Sequence, residues 1–195
     1  GTGKLTFEAA NAPFHAFKAF SQYNYPIYLF VAAQNDKNEI DKILKKYPNT
    51  KVYSIPLLKS DILYNEWMAN YPWFLIDPIH PRVFTFQFDG TVISKGWEDY
   101  VINGDWDYIG SPWRADIEVL THKCYPLKTL RVANGGVSAR KIKSIIKVVQ
   151  LINKEGGQHN YFKGIKINGE LKQENSWLAE DAMLVSVGAT FDLLK

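Results

Sequence analysis

The sequence predicts an α/β domain with a central, mostly parallel mixed sheet flanked by helices and a Rossmann-like N-terminal half. Three observations carry that expectation. Apolar runs bounded by turn residues recur at 25–33, 51–57 and 83–89, the pattern of buried strands. Helically spaced apolar residues separate the first two runs, and a β-α-β-α-β order implies parallel strands joined by right-handed crossovers. The chain has 195 residues, 46% hydrophobic and 22% charged, enough for one globular core. A single domain over 1–195 is therefore expected.

The elements follow in order. Lys4–Phe7 reads as a short strand, and 12–22 as a helix with Phe14, Phe17 and Phe20 on one face. "YPIYLFVAA" (25–33) is a buried strand. Asp36–Tyr47 carries Ile40, Ile43 and Leu44 at helical spacing, with Asn35 or Asp36 as N-cap. "KVYSIPL" (51–57) is the next strand. Residues 59–80 read as helical around "DILYNEWMANYPWF" and break at Asp77-Pro78 and His80-Pro81. The strand 83–89 follows. Beyond it, 91–95 reads as a short strand, Trp97–Ile102 as a helical turn, and Asp107–Gly110 as a strand running into "GSPW". Residues 114–130 are aperiodic and read as a long surface loop. "RVANGGVSAR" (131–140) is a strand interrupted by two glycines, and Lys141–Glu155 is a lysine-rich amphipathic helix. The glycine-rich 156–173 reads as a mobile loop, 176–187 as a last helix, and "ATFDLL" as a closing strand.

Composition excludes several classes. The net charge is +3 with lysines and acids interspersed, so no basic track for nucleic acid is present. One cysteine, Cys124, cannot form an internal disulfide, which favours a reducing, cytoplasmic compartment. No run of about 18 apolar residues offers a transmembrane span. The opening Gly1-Thr2-Gly3 has the look of a fusion remnant, so the domain can be a piece of a longer chain with additional domains. Six Trp and eleven Tyr are many for this length, and sugar- and nucleobase-binding surfaces use such residues.

Four stretches carry candidate chemistry. In "VFTFQFDG" (83–90) a buried strand ends in Gln87-Phe88-Asp89. Residues two apart share a strand face, so Gln87 and Asp89 point together. An acid before glycine is also an ordinary turn former. The sharper reading is a ligand for a hard cation or a sugar hydroxyl at the carboxyl edge of the sheet. Paired glycines inside "VANGGVSAR" mark a bulge, or a place where another molecule approaches the backbone closely. "WLAEDAML" sets Glu180 and Asp181 side by side at an apolar run. They are either solvated acids at a helix end or a partly buried carboxylate tuned for proton abstraction.

"FTFQFDG", "DYIGSPW", "VANGGVSAR" and "AED", in this order and spacing, resemble a family of small GT-A-type glycosyltransferase domains. "YNEWMANYPWF" is similar to that family's Tyr-Asn helix with its Phe/Trp end, and the likeness covers roughly residues 60–185. The resemblance implies transfer of a sugar from a nucleoside diphosphate, UDP above all, to a hydroxyl of a glycan or glycoconjugate acceptor. It implies that Asp89 is the last Asp of an Asp-x-Asp metal motif holding Mn2+ or Mg2+ on the diphosphate. Gln87 stands in place of the first Asp, which removes one negative charge from the cation site. Asn134, Gly135 and Gly136 would lie against the donor sugar. Asp181, with Glu180 beside it, would be the general base of an inverting transfer. Asp107 and Trp113 would bracket the acceptor side, and Glu8 to Asn11 is where such folds grip the nucleoside. The competing expectation is a non-catalytic nucleotide-sugar or carbohydrate-binding module with the same fold. A nucleotidyltransferase would carry a glycine-rich phosphate loop after its first strand, and "FEAANAPF" has no glycine.

Overall fold

A computed structural model describes residues 25–86, 96, 99–112, 117–121, 132–155, 162–174, 184–185 and 187–189. The fold is mixed α/β. Two compact units are present, Gly1–Tyr64 with Phe86–Lys95, and Asn65–Thr85 with Gly96–Lys195.

The first unit holds a β-α-β unit of the expected kind. Strands β1 (Ile27–Ala32) and β2 (Thr50–Ile55) pair in parallel from Ile27↔Thr50 to Ala32↔Ile55. Helix α1 (Lys37–Lys46) joins them and starts where the sequence places its cap. The Asp36 carboxylate accepts from the Asn38 N–H at 2.8 Å. Glu39 in the first turn and Lys45 and Lys46 in the last complement the helix dipole. Ile43 is fully buried, so α1 sinks the apolar stripe that its spacing predicts. Aromatic cross-strand contacts knit β1 to β2. Tyr28 stacks on Tyr53 with centroids 6.1 Å apart, and Phe30 meets the same ring at 5.4 Å. Helix α2 (Asp61–Asn70) begins in this unit, where the Leu63 N–H donates to Ser60 Oγ at 3.3 Å.

In the second unit, α2 ends and Pro72 opens the short helix α3 (Pro72–Leu75) at a position where a missing N–H costs nothing. Trp73 is 1% exposed and donates its indole N–H to Met68 O at 2.8 Å. Asp77 then closes the helical stretch, accepting from the Ile79 N–H at 3.1 Å.

Strands β3 (Arg82–Phe86), β4 (Tyr108–Pro112) and β6 (Val132–Lys141) form one three-stranded sheet in the order β3-β6-β4. β4 runs antiparallel to β6, from Tyr108↔Arg140 to Pro112↔Val132. Two contacts set β3 antiparallel to β6 as well. The Ile142 N–H donates to Pro81 O at 3.1 Å, and Thr85 Oγ1 lies 2.6 Å from Ser138 Oγ. Helix α4 (Ile142–Lys154) follows β6 directly and packs against it and against α3. Its buried Ile142, Ile145, Val148, Val149 and Ile152 form one stripe, each side chain contributing about 1.5–3 kcal/mol of burial.

A second three-stranded sheet is antiparallel throughout, in the order β5-β7-β8: β5 (Ile117–Thr121), β7 (Phe162–Ile167) and β8 (Glu170–Glu174). This corrects two expectations. Residues 114–130 read as a loop yet contain β5, and 156–173 read as a mobile loop yet contain the β7–β8 hairpin. The hairpin turns on Asn168 (φ 52°) and Gly169 (φ 83°), the two positive-φ residues that a type I′ turn requires. Among the described residues, only β1 and β2 pair in parallel. Residues 184–185 and 187 are helical, as expected for the last helix, and 188–189 are helical too, so the helix reaches Ala189, the first residue of the expected closing strand. Leu184 and Val187 are fully buried. No helix of the described residues is long and apolar enough to cross a membrane.

Candidate functional site

The β3-β6-β4 sheet gathers three of the four motif stretches. "VFTFQFDG" begins in β3, "DYIGSPW" supplies β4, and "VANGGVSAR" is β6, which lies between them. In this antiparallel pairing β3 runs toward the end of β6 that carries Asn134, Gly135 and Gly136.

Between β4 and β6 the register breaks where the glycines sit. Gly110 pairs with Ser138 but Ser111 pairs with Asn134, so Gly135, Gly136 and Val137 have no opposite number on β4. The bulge expected of paired glycines is there. It interrupts the β4–β6 ladder at the two glycines, which carry no side chains of their own.

Asp107 lies just before β4 and is 8% exposed. Its carboxylate faces the β6–α4 junction. Ser144 Oγ donates to Oδ1 at 2.6 Å, Lys141 Nζ lies 3.2 Å from the same oxygen, and the Lys141 N–H donates to Asp107 O at 2.8 Å. Lys141 caps α4 without a side-chain bond of its own, so Asp107 supplies the anion at that helix start. These bonds hold Asp107 as a clasp within the second unit. Asp107→Ala should cost about 2 kcal/mol of stability, the worth of one charge-assisted hydrogen bond with part of an ion pair. Urea denaturation measures it, and a loss under about 0.5 kcal/mol would mean that the clasp is not needed.

Arg140 fixes the other side of this sheet. It is 1% exposed, and its guanidinium carbon lies 4.9 Å from the Trp73 ring centroid and 5.2 Å from that of Tyr108. Nε donates to Ser138 Oγ at 2.8 Å, and Ser138 in turn meets Thr85. One side chain thereby ties α3, β4 and β6 together.

A surface depression of about 370 Å³ opens beside β4, lined by Asp99, Asn103, Gly104, Asp105 and Trp106. A π-helical turn (Asp99–Asn103) forms one wall. Arg82 on β3 braces the other, donating Nη1 to Trp106 O at 2.7 Å and Nη2 to Gly104 O. None of these residues was singled out from the sequence. The available signals were the Asn103-Gly104-Asp105 turn and a tryptophan between two aspartates, in "DWD".

The remaining expected site residues, Glu8, Asn11, Gln87, Asp89, Trp113, Glu180 and Asp181, lie outside the described residues. Among the described residues no group of three or more His, Cys, Asp or Glu side chains is placed to hold a metal ion. Asp89, on which the cation expectation rests, is not among them.

The family model "Protein of unknown function (DUF5672)" matches residues 49–192. No curated protein and no solved structure shows significant similarity to the chain.

Proposed function

The chain belongs to the DUF5672 family, and for it we propose a nucleotide-sugar-dependent glycosyltransferase of GT-A-like fold. The donor is a nucleoside-diphosphate sugar, UDP-linked, and the acceptor a hydroxyl of a glycan or glycoconjugate. One observation supports this reading most. Parts of three motif stretches that are far apart in the chain, residues 83–86, 108–112 and 132–140, occupy neighbouring strands of one sheet, with the glycine bulge of β6 at the end toward which β3 runs. Separate stretches converging on one sheet edge is what a shared ligand requires.

The chemistry makes two demands. The departing nucleoside diphosphate gains negative charge, which a cation or basic groups must neutralise in the transition state. The acceptor hydroxyl must lose a proton to a base within hydrogen-bond reach. Asp89 answers the first demand by holding Mn2+ or Mg2+, with Gln87 beside it as a neutral ligand. Asp181 answers the second. Glycine at 135 and 136 has no side chain to keep a sugar from approaching the backbone closely.

Manganese-stimulated turnover of UDP-sugars is the test. Asp89→Ala should lower donor turnover more than tenfold and flatten the manganese response, because the leaving charge then loses its counter-ion. Full activity and full manganese response in that variant would remove Asp89 from the site. Gln87 favours the second reading, a binding module that retains the fold without catalysis, because the cation site then carries one acid fewer. Sugar nucleotide bound without turnover, with or without manganese, would select it.

A further inference from the structure

We propose that the depression lined by Asp99, Asn103, Gly104, Asp105 and Trp106 is a subsite for an uncharged saccharide, stacked on Trp106 and hydrogen-bonded through its hydroxyls to the two aspartates. Its assignment to the acceptor of the transfer rests on the glycosyltransferase reading. Saccharide binding itself does not.

The lining combines what a pyranose needs. Trp106 is 42% exposed and lines the depression, so part of its indole is open to water there. A pyranose presents one face of C–H groups to such a ring and keeps its hydroxyls at the rim. At the rim stand two carboxylates and an amide. Asp99 and Asn103 lie one helical turn apart, with Asn103 Nδ2 3.5 Å from Asp99 Oδ1, a distance at the outer limit of a hydrogen bond. Ligand hydroxyls can therefore bond to both without breaking a strong pair. Carboxylates are acceptors only, and sugar hydroxyls are donors in need of them. The volume, about 370 Å³, falls within the ordinary range for small-ligand pockets.

Other ligand classes fit worse. Two carboxylates in the lining favour hydroxyl donors over anionic ligands such as phosphates. A hard cation would want six or more oxygens, including backbone carbonyls. Here the carbonyls of Gly104 and Trp106 already accept from Arg82, whose positive charge stands behind the same rim. That brace also explains how an exposed tryptophan is held in place. The backbone on both sides of Asp105 is tied to strand β3 through Arg82, which limits the freedom of the loop that carries Trp106. The π-helical turn points the same way, since such turns recur at functional sites.

The experiment is binding of the protein, without nucleotide sugar, to an array of uncharged and acidic oligosaccharides, followed by titration of the best uncharged binder. Native protein should bind uncharged members. Trp106→Ala should weaken binding about tenfold, Trp106→Phe should stay within about threefold of native, and Asp99→Ala should lose about tenfold. Trp106 and Asp99 are exposed, so these variants should fold, and circular dichroism checks that they do. No binding to any uncharged saccharide would overturn the proposal. So would equal binding by Trp106→Ala, or tight manganese binding abolished by Asp99→Ala. The two readings fail separately. Saccharide binding through Trp106 without sugar-nucleotide turnover would sink the transferase and leave the subsite standing. Turnover whose acceptor KM is unchanged by Trp106→Ala would sink the acceptor assignment and leave the transferase standing.

Discussion

Arg140→Ala should destabilise the protein by about 3–4 kcal/mol. The guanidinium is sandwiched between Trp73 and Tyr108 and donates to Ser138, so truncation removes two cation–π contacts and one charge-assisted hydrogen bond. It also leaves a space between two rings that helix α3 and strand β4 hold apart. Three further variants separate charge from packing. Arg140→Met refills the volume without the charge and should lie within about 1 kcal/mol of native, because buried cations repay little of their desolvation. Arg140→Lys keeps the charge but loses the planar stack, and should cost about 1–2 kcal/mol. Ser138→Ala should cost about 1 kcal/mol by removing the acceptor for Nε. For a chain of this size, the alanine variant should melt roughly 6–15 °C lower. If it unfolded within 1 kcal/mol of native, the sandwich would contribute nothing to holding the sheet.

Asp181→Asn should slow sugar transfer about 10²–10⁴-fold while leaving sugar-nucleotide affinity nearly unchanged. The expectation comes from the place of Asp181 in "WLAEDAML" and its likeness to the base of inverting enzymes. An asparagine keeps the size and hydrogen-bonding outline of the carboxylate but cannot take a proton. The loss should therefore fall on kcat, not on donor binding. Glu180→Gln should be milder, since its neighbour retains the base. Anomeric proton coupling in the product supplies an independent check. Retained configuration would strip Asp181 of this role, whatever rates the variants show, because a retaining enzyme has no need of that base.

The sequence by itself determined the elements whose local signals agree with one another. Strand β1, helix α1 with its Asp36 cap, strand β2, the break at Asp77-Pro78, and the succession of β6 and α4 all combine strong hydrophobic periodicity with clear stop residues. The bulge at Gly135-Gly136 was legible for the same reason, since two glycines inside a strand pattern have few other uses. Segments mixing polar, charged and glycine residues were misread. β5 and the β7–β8 hairpin looked like loops because their strands are short and set among charged and glycine residues, although Asn168-Gly169 was a hairpin signal in plain view. Partnership was decided by tertiary structure alone. No local pattern places β6 between β3 and β4, runs it antiparallel to both, or stacks Arg140 on rings from residues 73 and 108. Nor could spacing reveal that Arg82 reaches the loop 104–106, or that Asp107 is clasped to the start of α4. Such contacts join residues from 22 positions apart, Arg82 and Gly104, to far more distant ones such as Trp73 and Arg140. They form because sheet pairing brings distant backbone within a few ångströms, and a buried charge or carboxylate then takes whatever partner that pairing delivers.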